Sequence, residues 1–198
     1  MSATVLYMSM SVDGFIAGSN DGPGNGLGDD GQRLHDWLWT GGEDGGASGV
    51  PGRPPGPNGK VYDEMLTTGA VLTGRRTFDL AGAWAGDHHD GVPIFVLTSR
   101  IPGDTPYPLV TYLTDVATAA ERAKEGAGDK DVLVHGARTA QLALAAGVLD
   151  EIQIHLIPIL LGQGRRLFDH PGADRIELEL IRVVDGPGAT HLRYRVVK

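Results

Sequence analysis

The chain has 198 residues, a length that suits one domain with an elaborated loop better than two full domains. With 17 Lys and Arg against 25 Asp and Glu, its formal charge of -8 lacks the basic excess of a nucleic-acid binder. Cysteine is absent, which excludes disulfides, zinc ribbons, iron–sulfur clusters and thiol nucleophiles together.

The start, MSATVLYMSMSVDG, has no charged region before its apolar run and soon turns polar. It reads as a first strand rather than a signal peptide or a membrane span, and a cytoplasmic protein is expected. Residues 41–60 hold eight glycines and four prolines, a composition too poor in apolar side chains to repay ordering. A loop insertion into a single domain is expected there, because the forty residues before it cannot form a core alone. Four apolar runs, at 5–10, 70–73, 94–98 and 132–135, are continuous and stop at Gly, Ser or Asp, as strands buried on both faces do. Helical stretches follow them: RRTFDLAG, then 115–127 behind a Thr114 cap, then the Ala/Leu-rich 138–146. The alternation of strand and helix predicts an α/β fold with a mostly parallel central sheet. After residue 151 the pattern becomes a period of two, predicting half-exposed antiparallel strands, the last two joined by a turn at Gly186, Pro187 and Gly188.

The pattern G-x-G-x-x-G occurs at Gly26, Gly28 and Gly31, without the preceding strand and following long helix that a Rossmann site needs. A repeated strand-to-helix junction carries more chemistry: LTGRRT at 72–77 and VHGART at 134–139. Helix N-termini present unpaired N–H groups, so two of them along one sheet edge make a place for a pyrophosphate. Gly74 and Gly136 allow close backbone approach, and a third strand ends at Thr98, Ser99 and Arg100. Arg75, Arg76 and Arg100 together favour a 2′-phosphorylated dinucleotide.

These blocks, LTGRRTF, IFVLTSR and VLVHGARTAQLALAAGVLDEIQIHLIPILLGQGRRLFD, with SVDGFIAG at 11–18, resemble the dihydrofolate reductase-like superfamily. The last block is especially similar to the C-terminal reductase domain of bacterial riboflavin-biosynthesis enzymes. The resemblance implies a three-layer fold with a mixed eight-stranded sheet and a C-terminal antiparallel hairpin. It further implies NADPH at the sheet's C-terminal edge and hydride transfer to a pterin- or pyrimidine-type substrate, the nearest activity being 5-amino-6-(5-phosphoribosylamino)uracil reduction. By the same resemblance Gly74, Arg75, Arg76 and Thr77 meet the pyrophosphate and 2′-phosphate, Thr98, Ser99 and Arg100 surround the adenosine, and Gly136, Ala137, Arg138 and Thr139 cradle the remaining phosphate. His135 and Ala137 depart from the family's paired glycines there. A homodimer through the C-terminal strands is also implied.

Hydride transfer needs a proton source. Asp36 in LHDWLW is the first candidate, between apolar Leu34 and Trp37 that would take it out of water, and Asp63 in VYDEML is the second. Asp13 precedes a glycine and reads as a turn residue. Trp37 or Trp39 could stack on a heterocycle, though a core role is the commoner use of such residues. The run Asp87-His88-His89-Asp90 reads as a solvated loop rather than a metal site, so no metal is expected. His155 is placed on the polar side of its strand, exposed or at a subunit contact, and Arg165-Arg166 is the basic pair left for a substrate phosphate. Two other readings stay open: a non-catalytic dinucleotide-binding dimer of the same fold, and, more weakly, a metal-dependent hydrolase using His88 and His89.

Overall fold

A computed structural model describes residues 2–39, 52–169 and 175–198, without the Trp39 side chain. The stretch 40–51, most of the expected loop insertion, lies outside them. In chain order the elements are β1 (Thr4–Ser11), β2 (Phe15–Ala17), α1 (Asp36–Trp39), α2 (Gly56–Leu66), β3 (Ala70–Gly74), α3 (Arg75–Leu80), β4 (Ile94–Leu97) and β5 (Val110–Leu113). Then come α4 (Val116–Ala127), β6 (Val132–His135), α5 (Ala137–Ala145), β7 (Glu151–Ile157), β8 (Arg165–Arg166), β9 (Leu178–Gly186) and β10 (Ala189–Val196). Eight strands form one sheet in the order β5-β4-β3-β6-β1-β7-β10-β9. The first six run parallel, and β10 and β9 close the sheet as an antiparallel hairpin.

The apolar runs behave as strands with two covered faces. Leu6, Leu72, Val132 and Val134 pack with Ala119, Ala120 and Ala123 of α4 and Ala140 and Ala143 of α5. Val5, Val71, Leu133 and Val96 point the other way, onto Phe78 of α3. Leu6, Leu72 and Leu133 are fully buried, each contributing about 2–3 kcal/mol by removal from water.

Several expectations change. Strand β5 was not expected from the sequence: it is a short edge strand in which only Val110 is buried, so its pattern is weak. Helix α4 is capped by Asp115, whose carboxylate accepts from Thr118 N at 2.8 Å, not by Thr114. The last residues of the Gly/Pro-rich stretch form the first turn of α2, where a proline has no helical N–H to lose. The largest correction concerns β7. It is interior to the sheet, paired parallel with β1 and antiparallel with β10; Ile152 and Ile154 pack into the core under α4 and α5 on one face, and Gln153 and His155 are buried on the other. In β9, by contrast, Leu178, Leu180, Ile181 and Val183 face solvent.

The two glycine-rich signatures fold onto each other. Short strands β2 and β8 pair, and a Cβ on Gly164 would lie 2.1 Å from the Ala17 carbonyl oxygen. The Asp13 carboxylate accepts from Ser11 Oγ at 2.6 Å and from the N–H groups of Leu161 at 3.1 Å and Gly162 at 2.6 Å. Those bonds hold its carboxyl below the usual carboxylate range, the Ser11 contact most of all. Gly164→Ala is expected to lower unfolding free energy by about 3 kcal/mol, from overpacking plus an unfavourable φ of 135°. Gly162→Ala, with open space around it, should cost only about 1 kcal/mol; equal urea midpoints for the two would refute this account.

Candidate active site

Because β4, β3 and β6 are parallel neighbours, their carboxyl ends lie side by side. That brings Thr98, Ser99 and Arg100 beside Gly74, Arg75, Arg76 and Thr77, and these beside Gly136, Ala137, Arg138 and Thr139. Strand β3 continues through α3 to β4 on one side, whereas β6 continues through α5 to β7 on the other. The two helices pack on opposite faces, so the carboxyl ends of β3 and β6 flank a topological switch point, the crevice where open α/β sheets bind ligands.

The junctions there interlock. Gly136 has φ 92°, and a Cβ on it would sit 2.5 Å from Thr77 Oγ1. A Cβ on Gly74 would sit 2.8 Å from Thr139 Oγ1. Thr73 and Thr139 are fully buried, and their hydroxyls have no hydrogen-bond partner. Arg76 gives Nε to Asp21 Oδ2 at 3.1 Å and Nη2 to the Asp21 carbonyl at 2.6 Å, while Arg165 holds the other side of the same carboxylate. Arg75 pairs with Asp79 and lies over the Tyr112 ring. Arg100 and Arg138 are exposed. The Thr98 hydroxyl is used locally, bonded to the backbone of Arg100.

Histidines line the face below these junctions. His135, at the end of β6, bonds through Nδ1 to the Tyr7 carbonyl at 3.0 Å. A carbonyl only accepts, so His135 Nδ1 carries the hydrogen, and its Nε2 lies 3.2 Å from His88 Nε2. His88 Nδ1 lies 2.7 Å from His89 Nδ1, and His89 reaches Thr68. A turn in which Ala83, Trp84 and Ala85 take φ of 54°, 47° and 52° sets Trp84 beside His88 and Phe78. The expected solvated loop is therefore a packed chain, since His88 and His89 bond each other and His135 instead of water. Among the described residues no group of three His, Cys, Asp or Glu gathers as a metal site. Burial pushes His88 down to about 2 and His135 to about 4.

His155 is the second correction. It is 4% exposed, because its strand is interior to the sheet rather than half-exposed. Its Nδ1 lies 2.9 Å from His191 Nδ1, and the Trp37 ring lies against it, tilted by 47° with centroids 4.6 Å apart, while giving Nε1–H to Ser9 Oγ at 2.9 Å. His35 is electrostatically coupled to both His135 and His155, and its Nδ1 is buried without a partner. Asp36, in contrast, is exposed: Leu34 and Trp37 turn inward and leave it outside, so they do not take it out of water. The Asp63 carboxylate receives Nε and Nη2 of Arg53, both at 2.7 Å, which lowers its pKa. Arg165 is engaged by Asp21, whereas exposed Arg166 gives Nη1 to the Asp13 carbonyl and lies over Phe15 with no carboxylate partner among the described residues. The sequence reading missed Asp21, His35 and Asn58; no motif marks them, and only the fold brings them to this edge.

The RibD C-terminal domain family profile matches residues 3–192. The chain belongs to this family. Among solved structures it is similar to a protein assigned to riboflavin biosynthesis from Shewanella sp. PV-4, at 21% identity and TM-score 0.70, with 99% of each chain covered. It also resembles the diaminohydroxyphosphoribosylaminopyrimidine deaminase/5-amino-6-(5-phosphoribosylamino)uracil reductase of Thermotoga maritima, at 13% identity and TM-score 0.64, covering 99% of this chain and 57% of that one. Dihydrofolate reductase from Enterococcus faecalis, solved with NADP(H), matches at 14% identity and TM-score 0.58, covering 99% and 97%. Those identities speak for the dihydrofolate reductase-like fold. No match was found among curated proteins.

The buried histidines make stability depend on pH. Burial holds His135 and His191 at about 4 when folded, against 6.5 when unfolded. Between those values the unfolded chain binds more protons, so stability is full above pH 6.5 and falls as pH drops towards 4. Each ring contributes on the order of 3 kcal/mol across that window. Urea unfolding at pH 7.5 and 5.0 should show a markedly lower midpoint in acid; an unchanged midpoint would mean that the rings are not buried neutral.

Proposed function

We propose that this chain is an NADPH-dependent reductase of the riboflavin-pathway type, delivering hydride to a pyrimidine- or pterin-type heterocycle such as 5-amino-6-(5-phosphoribosylamino)uracil. The observation that carries the reading is the pair of interlocked junctions at the switch point. A Cβ at position 136 or 74 would press on the Thr77 or Thr139 hydroxyl, and two buried hydroxyls there, of Thr73 and Thr139, have no hydrogen-bond partner. This cradle fits a dinucleotide. Gly136, Ala137, Arg138 and Thr139 would hold its pyrophosphate at the start of α5, with Gly74 and Thr77 opposite. Ser99 and Arg100 would take the adenosine end, where the exposed Arg100 fork suits a phosphate monoester.

When bound, the dinucleotide supplies the hydride. The chain's own residues orient the acceptor and provide the proton. Of the two sequence candidates we keep Asp36, exposed at the start of α1 and outside any ion pair among the described residues, over Asp63, which Arg53 engages. Trp37, one residue on from Asp36, walls the site over His155. A cytoplasmic setting suits such an enzyme, and among the described residues no helix is long and apolar enough to cross a membrane.

The reading extends to a homodimer. Register places Leu178 opposite Val196, Leu180 opposite Tyr194 and Val183 opposite Leu192, so one face of the hairpin is apolar. Leu180 and Val183 are 54% and 52% exposed, which a second copy would cover. A double change, Leu180→Asp with Val183→Asp, should convert a dimer to a monomer in sedimentation velocity; a monomeric parent protein would sink this part.

Fluorescence titration should show NADPH binding more tightly than NADH. Arg100→Gln should reduce that preference by about tenfold, the loss of one charge-assisted contact. Equal affinity for both dinucleotides in the unaltered protein would overturn the cofactor assignment.

A further inference from the structure

The hydrogen-bond polarity of the buried chain behind Trp37 follows from one end. Asn58, 1% exposed, gives its Nδ2 hydrogens to the backbone carbonyls of Trp37 at 3.3 Å and Pro187 at 3.0 Å. The amide therefore has a single orientation, and its Oδ1 is the atom that faces His191 Nε2 at 3.1 Å. His191 Nε2 must donate, so the neutral ring offers a lone pair on Nδ1. His155 Nδ1, 2.9 Å away, must donate in turn. Neutral His155 is then left with a lone pair on Nε2. That nitrogen has no hydrogen-bond partner among the described residues, and the residue keeps 4% exposure. Burial keeps both rings neutral, His155 well below its ordinary value and His191 at about 4.

His155 stands opposite Ser9 of β1 in register, with the Trp37 and Tyr7 rings 4.6 Å and 6.2 Å from its own, and the Tyr7 carbonyl is the one that accepts from His135, the residue before Gly136. We propose that His155 is a specificity-determining contact whose Nε2 is held as an acceptor by Asn58 through His191, so that the site takes a heterocycle offering an N–H or O–H donor there. A ligand presenting a carbonyl at the same point would set two acceptors against each other and be rejected. The class of ligand rests on the reductase reading, whereas the polarity stands without it.

Long-range proton–nitrogen NMR on the full chain, labelled at histidine, reads each tautomer directly. The expected pattern is hydrogen on Nδ1 of His155 and on Nε2 of His191. Uracil as the probe should shift His155 Nε2, while 1,3-dimethyluracil, which has no N–H, should leave it in place and bind about tenfold more weakly. In Asn58→Asp both side-chain oxygens accept, which favours a doubly protonated His191. Its Nδ1 then donates to His155, moves the His155 hydrogen to Nε2 and abolishes the preference for uracil. Hydrogen on Nε2 of His155 in the unaltered protein, or equal affinity for the two probes, would overturn the proposal. An NADPH titration of the same sample separates the two readings: uracil shifting His155 with no NADPH binding would remove the reductase reading and support this one.

Discussion

The arrangement depends on a steric constraint at two places, the absence of a Cβ on Gly136 and on Gly74. Thr77 at the start of α3 comes against Gly136, and Thr139 at the start of α5 comes against Gly74, each closer than any side-chain carbon could allow. That mutual approach draws together two helices that pack on opposite faces of the sheet. The strand ends themselves are adjacent because β3 and β6 pair directly; what the missing Cβ atoms add is the close approach of the two helix starts across them. Gly136 carries a second demand, since its φ of 92° is one that residues with a Cβ rarely adopt.

The two faces of the sheet are built differently. Beneath α4 and α5 the packing is alanine against aliphatic strands, which lets the helices lie close. The opposite face carries Tyr7, Gln153, His135, His155 and His191 among its buried groups. Arg193 crosses part of it, paired with Glu151 at 2.6 Å and near Glu64 and Asp131. Such groups are costly to bury unless each finds a partner, and the ordered donation from His155 to His191 to the Asn58 oxygen, and from His135 to the Tyr7 carbonyl, shows how several of them do. The exceptions among the described residues are Ser2 Oγ, His35 Nδ1, Gln153 Nε2 and the hydroxyls of Thr73 and Thr139, and the last two lie at the strand-to-helix junctions, where a ligand has something to offer them.

The loop after β1 is tied to both halves of this site. Asp13 and Gly164 bind it to the segment following β7, and Asp21 joins Arg76 of α3 to Arg165 of β8. A loop of many glycines is thereby held by specific ion pairs and backbone contacts rather than by an apolar core of its own. Asp21 also explains why one arginine expected at the phosphates is already engaged by a carboxylate: the segment bearing Asp21 approaches α3 only in three dimensions.

The residues by themselves determined the parallel core, the helices after each buried strand and the glycine junctions, because continuous apolar runs and chain-breaking glycines are local signals. The C-terminal hairpin was legible for the same reason, as an alternation ending at Pro187 and Gly188. Tertiary structure decided what depends on neighbours. Strand β7 alternates as a half-exposed strand would, yet it is interior to the sheet and its polar side, His155 included, is buried. Helix α1 places Trp37 inside and Asp36 outside, a choice that four residues cannot reveal by period. The histidines lie far apart along the chain, and only the fold gathers them into two hydrogen-bonded groups, His88 with His89 and His135, and His155 with His191. Polarity in such a group is a property of the whole chain of donors, set at its ends by a carbonyl or an amide, so no single residue type could have announced it.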